Sequence, residues 1–477
     1  MMQIINKKYR LILFVVFIML CCPLVCFSTS NRSIGEFDGR KNILVSTIGE
    51  LRSSVENITP GTTIILESGY YNRGFRLANF HGSPDNPIII KGSNPDNPPV
   101  FEGRGEGLKV SSCSYIKFKN IIFKGFTTNG INVDDSGKID QPSHHLIFDN
   151  ISILNIGSKG NHDALKMSGV DHFIVRNCRF EGWGGSGTDL VGCHNGVIEG
   201  SCYLGKVGYR TGNGIQVKGG SHSVLVQSNY FEDSGFRTVQ IGGLTGKQYF
   251  RPLATYYEAK DIRVSGNVFV GGEAQIAFVT ALNSTVDHNL FYLPVKWLGR
   301  ILQETRNPQF SPCSGGVFSK NIVITYDGIK SIFNIGRGTD RKSFLFSENI
   351  WSSSKRDIDS ELPTSEVDGL FDMQVIIERD LDGQIGVVGD NPLNNRAGPL
   401  AYQPWRVIND FSDIDVLSHI SENVAPPSIV ATQADEFDST SNGATTQGVI
   451  VFFVVTTIVV LALVWILFRL YLLNREK

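Results

Sequence analysis

A short apolar strand that ends in Asn, one or two further residues and a large apolar side chain recurs through the middle of the chain. It stands at Asn120/Phe123, Asn150/Ile153, Asn177/Phe180, Asn229/Phe231, Asn267/Phe269, Asn289/Phe291, Asn321/Ile324 and Asn349/Trp351. Successive Asn positions differ by 30, 27, 52, 38, 22, 32 and 28 residues, and the 52 hides one more unit near Gly200–Tyr203 that lacks the Asn. The strands are short and no helical periodicity lies between them, which excludes βαβ units. A parallel connection without a helix, repeated at this period, makes a solenoid. The predicted fold is therefore all-β, a right-handed parallel β-helix in which inward residues stack from coil to coil. Asn suits its corner because it tolerates the left-handed region and bonds neighbouring amides.

The repeat needs a beginning. Thr47-Ile48-Gly49-Glu50 reads as a capping box, and Ile48, Leu51 and Val55 then fall on one helical face. Pro60-Gly61 ends that helix, and 62–66 and 87–91 read as the first strands. An amphipathic helix there would cap the open end of a β stack. After Trp351 the repeat fades into an irregular cap.

Both chain ends carry membrane signals. Lys7, Lys8 and Arg10 precede an apolar run and then small residues up to Ser28, the form of a secretory signal peptide. Residues 448–468 hold no charge and are long enough to span a bilayer core; Arg469, Arg475 and Lys477 follow. The expected topology leaves the C-terminus cytoplasmic and the large domain extracellular or periplasmic. The expected order is signal peptide 1–28, N-terminal cap and first coils 29–105, β-helix core 106–351, C-terminal cap 352–424, stalk 425–447, transmembrane helix 448–468 and tail 469–477. The net charge of −2 gives no reason to expect nucleic acid as a partner. Outside the signal peptide, Cys113, Cys178, Cys193, Cys202 and Cys313 show neither a disulfide framework nor zinc spacing and read as buried thiols. One disulfide, Cys178 with Cys202, stays open. Asn31, Asn57, Asn150 and Asn283 begin glycosylation sequons.

Parity registers the central coils. With Leu165, Met167, Leu190, Ile215, Val217, Val239 and Ile241 inward, the outward residues fall into columns. Ala164, Asp189, Gly214, Thr238 and Gln275 form one, Lys166, Val191, Gln216, Gln240 and Ala277 the next, and Ser168, Cys193, Lys218, Gly242 and Val279 the third. Lys166, Asp189, Gln216, Lys218 and Gln240 then share a surface patch, bordered by His162, Asp163, Asn213 and Arg237. Insertions interrupt the coils at 124–145, 242–260 and 303–316, and the second carries Tyr249, Phe250, Tyr256 and Tyr257. Cations, amides and one carboxylate beside tyrosine rings suit a polyhydroxylated, acidic chain. A polar outer face of any sheet would look much the same residue by residue; the clustering beside the insertion is what favours a site.

The opening helix, the segments PGTTIILESGYY and NPIIIKG, and above all IQVKGGSHSVLVQSNYFEDSG at 215–235 resemble the pectate-lyase-like β-helix superfamily. Within it the resemblance is nearest to the alginate lyase and chondroitinase B family of polysaccharide lyases. Residues 162–173 and 187–200 also resemble bacterial β-helix repeat proteins, which implies fold alone. The lyase resemblance places a Brønsted base at Lys218. Where that family carries acidic calcium ligands, this chain has Asn213 and Thr211, so no cofactor is firmly expected and calcium lacks its usual ligands. Where the family has its catalytic arginine, this chain has Gln240 and Ile241, with Arg237 close by but not aligned.

Three readings follow. In a lyase, Lys218 takes the C5 proton of a uronide, with its pKa depressed by Lys166 or Arg237. Arg237, Gln216 and Asn213 meet the carboxylate, and His162 or Tyr209 protonates the leaving oxygen. Lys166, Asp189, Asn213, Gln216, Gln240, Tyr249 and Tyr256 bind substrate. A glycoside hydrolase would need two carboxyl groups about 5–9.5 Å apart, for which Asp189, Asp163 and the loop pair Asp134-Asp135 are the candidates. A non-catalytic surface protein that binds glycan fits the stalk and anchor. In each, the partner is a polysaccharide or cell-surface glycan.

Overall fold

The computed structural model describes residues 41–353, 357–388, 395–404 and 411. The signal peptide, stalk and membrane span expected at 1–28, 425–447 and 448–468 lie outside the described residues. No helix among the described residues is long and apolar enough to cross a membrane.

The strands stack in parallel into a ten-stranded sheet and a 23-stranded sheet that turns a corner. A strand not foreseen in the sequence, Asn42–Val45, forms the first rung and pairs with Thr63–Leu66. The helix Ile48–Val55 follows it, with both capping-box bonds made: the Glu50 amide donates to Thr47 Oγ1 and the Thr47 amide to Glu50 Oε2, each at 3.2 Å. Leu51 is fully buried, and Ile48 and Val55 pack on the same core.

One apolar column fills the solenoid. Phe180, Tyr203, Phe231, Phe269 and Phe291 stack at centroid separations of 4.5–4.9 Å, the spacing of adjacent strands. Tyr203 fills the unit that lacks its Asn. In the Asn321 unit the inward residue is Val323, fully buried, and Ile324 is its partly exposed neighbour. Parity decides it: Val323 is in register with Phe291 and Trp351.

The repeated Asn residues occupy two corner positions, not one. Asn120, Asn150 and Asn177 adopt positive φ near 55°. Asn229, Asn267, Asn289, Asn321 and Asn349 lie one place further on and form a buried ladder. Each side-chain amide donates to the next side-chain oxygen at 2.9–3.0 Å. That oxygen also accepts the preceding Asn backbone amide at 2.9 Å. Glu366 ends the ladder by accepting the Asn349 amide at 2.9 Å.

The residues after Trp351 do more than close the end. Ile385 and Ala397 pack outside the coils on Leu290, Ile322 and Ile350. Tyr402 donates to Gln227 Oε1 at 2.7 Å. Phe411 covers an outward apolar stripe of Ile147, Ile174, Val197 and Leu225. The described residues of this segment therefore lie as a strap along the solenoid's flank. Its apolar contacts explain why several outward strand residues are isoleucine or valine.

Cys178 and Cys202 do not pair; all five described cysteines are free. Cys178 turns inward at the corner, with its thiol toward Arg176 O at 3.2 Å. Cys202 faces the strap, where Gln384 Nε2 donates to it at 3.6 Å.

Candidate functional site

The outer face of the ten-stranded sheet carries the candidate site. Strand register places Lys109, Asn132, Lys166, Asp189, Gln216 and Gln240 in one outward column. Asp189 thus stands opposite Lys166, not Ala164, and Val191 lies with Ser168 and Lys218. The shift is two residues within Ser186–Val191. Thr188 is an inward polar residue in register with Leu165, its hydroxyl bonded to Tyr203 OH at 2.9 Å. An apolar count therefore assigns Leu190 to the wrong rung. Cys193 is not outward either, but fully buried.

The corrected register builds an ion network. Asp189, 1% exposed, lies 2.6 Å from Lys166 Nζ and 2.9 Å from Lys218 Nζ. Lys166 also bonds Asp163 at 3.1 Å, and Lys218 donates to Gln216 Oε1 at 2.8 Å. Burial pushes the Asp189 carboxyl up, but Lys218 and Lys166 outweigh it and hold it below the ordinary carboxylate range. Asp163 moves the other way, raised by burial and then by Asp189. Burial disfavours the Lys166 ammonium, yet Asp189 and Asp163 overcome that and raise its pKa. Both carboxylates lie beneath the lysines, inaccessible to a sugar, so they do not serve as a hydrolase pair. Lys218 has a carboxylate beside it, where the lyase expectation calls on a cation.

An ammonium has three N–H groups. Lys166 uses two, on Asp163 and Asp189; Lys218 uses one on Gln216 and meets Asp189 Oδ1 as an ion pair without hydrogen-bond geometry, and among the described residues no further acceptor is found for either. They open on a cleft of about 550 Å³, also lined by Lys109, Asn132, Ser168, Tyr249 and Arg251. Lys109 is held by Asp134 at 2.5 Å. Tyr249 is 56% exposed at the cleft wall.

That wall is the insertion at 242–260, and it is pinned. Glu258 accepts the Thr245 amide at 2.6 Å, its hydroxyl at 2.7 Å and the Gly219 amide at 2.8 Å. Gly243 lies on the sheet: a Cβ there would meet Gln216 Nε2 at 3.1 Å and Gln240 Nε2 at 3.2 Å. Gln240 is consequently buried and bonded to Gly242 O, which corrects its assignment as a substrate contact.

The loop divides the patch expected from sequence. Arg237 lies outside the cleft lining and pairs with Glu304 at 2.5 Å and Gln240 at 2.8 Å. Asn213 reaches Ser186 and Gln216 at 3.4 Å, below the strand start. His162 packs against Gly157, and its neighbour Asn161, not His162 itself, lines the cleft. Tyr209 belongs to another depression, with Lys206 and Arg210. Tyr256 turns away to sit under Lys247, 4.0 Å from the ring centroid, and beside Phe310. The sequence reading missed Lys109, Asn132 and Arg251. Coil spacing offers a signal for the first two, one and two rungs before Lys166; Arg251 carries none. The positions that resemblance assigns to calcium do not fit that ion. Asn213 and Thr211 bring no carboxylate, and no group of three or more His, Cys, Asp or Glu side chains among the described residues converges to hold a metal.

The stacked parallel coils form a β-helix fold. Residues 106–292 match the family model described as a right handed beta helix region. Similar solved structures include an alginate lyase from Paenibacillus sp. str. FPU-7, 13% identical over 70% of this chain and 99% of the other, with a TM-score of 0.39. The pectate lyase Pel9A is 12% identical over 78% and 94%, TM-score 0.42. PfbA, a surface adhesin of Streptococcus pneumoniae, is 9% identical over 71% and 94%, TM-score 0.40. Likeness at this level does not bear on activity. No curated protein matches the chain's sequence significantly.

Proposed function

We propose that the cleft binds a uronic-acid-containing polysaccharide. One observation carries the reading: Lys166 and Lys218, both held by buried Asp189, line a cleft that exposed Tyr249 also lines. Fixed ammonium groups meet carboxylates with little ordering cost, and a phenol ring covers sugar C–H surfaces. The domain works outside the cell or in the periplasm, held to a membrane by residues 448–468.

A second reading, β-elimination, is favoured by the position of Lys218 at the cleft floor. Lys218 would take the C5 proton as the C4–oxygen bond breaks and the C4–C5 double bond forms. Lys166 or Arg251 would neutralise the carboxylate, and Tyr249 would return a proton to the leaving oxygen.

The test is a panel of alginate, polygalacturonate, chondroitin, dermatan and heparan, with binding followed by calorimetry and elimination by the ultraviolet absorbance of unsaturated uronides. Binding to neutral glycans alone sinks the reading. Binding without new absorbance leaves a binding protein. Absorbance that persists in Lys218→Ala removes Lys218 as the base.

A further inference from the structure

The cleft is open at one end and walled at the other. Toward the N-terminal coils it continues past Lys109, which also borders a second depression of about 460 Å³ holding Arg76 and Arg52. Arg76 and Lys109 are in register on neighbouring strands, so the outward polar column runs on by one more coil, with Glu56 and Glu106 beside the two arginines. Both arginines are exposed. Toward the C-terminal coils, Gly243 sits directly on the Gln216 and Gln240 amides, with no room for even a methyl group without displacement. Leu244, Thr245 and Gly246 then rise as the cleft's end wall. Glu258 ties the base of this wall to the sheet, and Arg251 ties its far side to Asp135 through bonds of 2.7 and 2.9 Å. A wall held by a buried carboxylate at each side does not swing aside at small cost.

We infer that the cleft takes the end of an acidic polysaccharide chain, its last sugar against residues 244–249 and the chain leaving over Lys109 toward Arg76 and Arg52. This rests on the reading of the cleft as a uronide site. A groove open at both ends would grip a chain anywhere along its length. A blind groove admits termini only, so the number of protein molecules per polysaccharide is set by ends and not by length.

The test uses the purified full chain and size-fractionated polygalacturonate and alginate, with stoichiometry from sedimentation velocity. The expected result is at most one protein per chain at every length, with affinity per mole of chain flat once the groove is filled. Protein molecules accumulating in proportion to chain length overturn the inference and leave the glycan reading standing. Absence of binding to every acidic chain sinks both. A second measurement does not depend on the wall: Arg76→Ala should weaken a long oligomer by up to about fivefold, the scale of an exposed charge pair, while leaving a disaccharide unchanged. Equal weakening of both, or of neither, counts against the path over Arg76.

Discussion

Arg251 and Asp135, 116 residues apart in sequence, meet in a two-pronged ion pair with Nε and Nη2 at 2.7 and 2.9 Å from the carboxylate oxygens. The Asp135 side chain is fully buried. Arg251 also spans the wall internally, donating to Tyr249 O at 2.8 Å, while its own carbonyl meets His194 Nε2 at 3.1 Å. The pair therefore converts a long surface loop into a fixed part of the cleft.

Arg251→Ala strands the Asp135 charge in the interior. The expected loss is about 3–5 kcal/mol, the scale for breaking a buried pair from one side, with new protease cuts inside 243–257. Asp135→Asn combined with Arg251→Ala should recover part of that stability without restoring the wall. Thermal melts and limited proteolysis of the three variants decide it; a double variant no more stable than Arg251→Ala alone would show that the charge is not what costs.

The fold was legible because its physics is periodic. Stacked Phe and Asn leave marks at every coil, and the coil lacking its Asn shows itself through Tyr203. What failed was local. Thr188 is inward because Tyr203 offers its hydroxyl a buried partner 15 residues away, and parity knows nothing of such pairs. That single polar inward residue moved Asp189 off its rung and hid its contact with Lys166. The two Asn positions look alike in sequence because they are adjacent at one corner, although one serves backbone conformation and the other a hydrogen-bond ladder. Lys218, Lys166 and Tyr249 line one cleft, as their type and clustering in the sequence lead one to expect. Arg237 and Gln240 were grouped with them because the sequence cannot say where a loop comes down on the sheet.

Asp189→Ala tests the floor of the cleft. Its loss leaves Lys166 and Lys218, which are 22% and 17% exposed in their side chains, without the carboxylate between them. Stability should fall by about 3 kcal/mol, and uronan affinity should fall as well, because the ammonium groups are no longer fixed. Asp189→Asn keeps the shape and should lie between. Calorimetric titration beside denaturation separates the two effects; unchanged affinity in a folded Asp189→Ala would mean that preorganised lysines are not what binds.

The Asn ladder makes a sharper stability prediction. Asn321 Oδ1 accepts both the backbone and the side-chain amide of Asn289, at 2.9 and 3.0 Å, and its own amide reaches Val286 O and Asn349. Asn321→Leu fills the space but orphans the two Asn289 donors on one side and takes a donor from Val286 O and Asn349 Oδ1 on the other, each buried unpaired group costing about 1–3 kcal/mol. The melting temperature should drop more than for Asn150→Ala at the exposed corner. Equal drops would mean that the ladder adds nothing beyond packing.

The outer corner of the early coils predicts an acid limit to stability. His144 and His222 are both held near 4, below the usual 6.5, by burial first and by neighbouring imidazoles second. His144 faces His145, His172 and His81 with Asp171 opposing them, and His222 stacks on His194 at 4.2 Å with Asp171 and Lys260 nearby. The unfolded chain takes up these protons near 6.5 and the folded chain only near 4, so across that window the unfolded state binds more protons. The stabilisation is complete above 6.5 and declines as pH falls toward about 4. His144→Gln with His222→Gln should flatten the decline, leaving the share due to carboxylates such as Asp287, which burial raises but His288 and Arg263 carry down to about 2. Melting temperatures of the wild type and the double variant across the window check this. Parallel curves would assign the acid sensitivity to groups other than these two histidines.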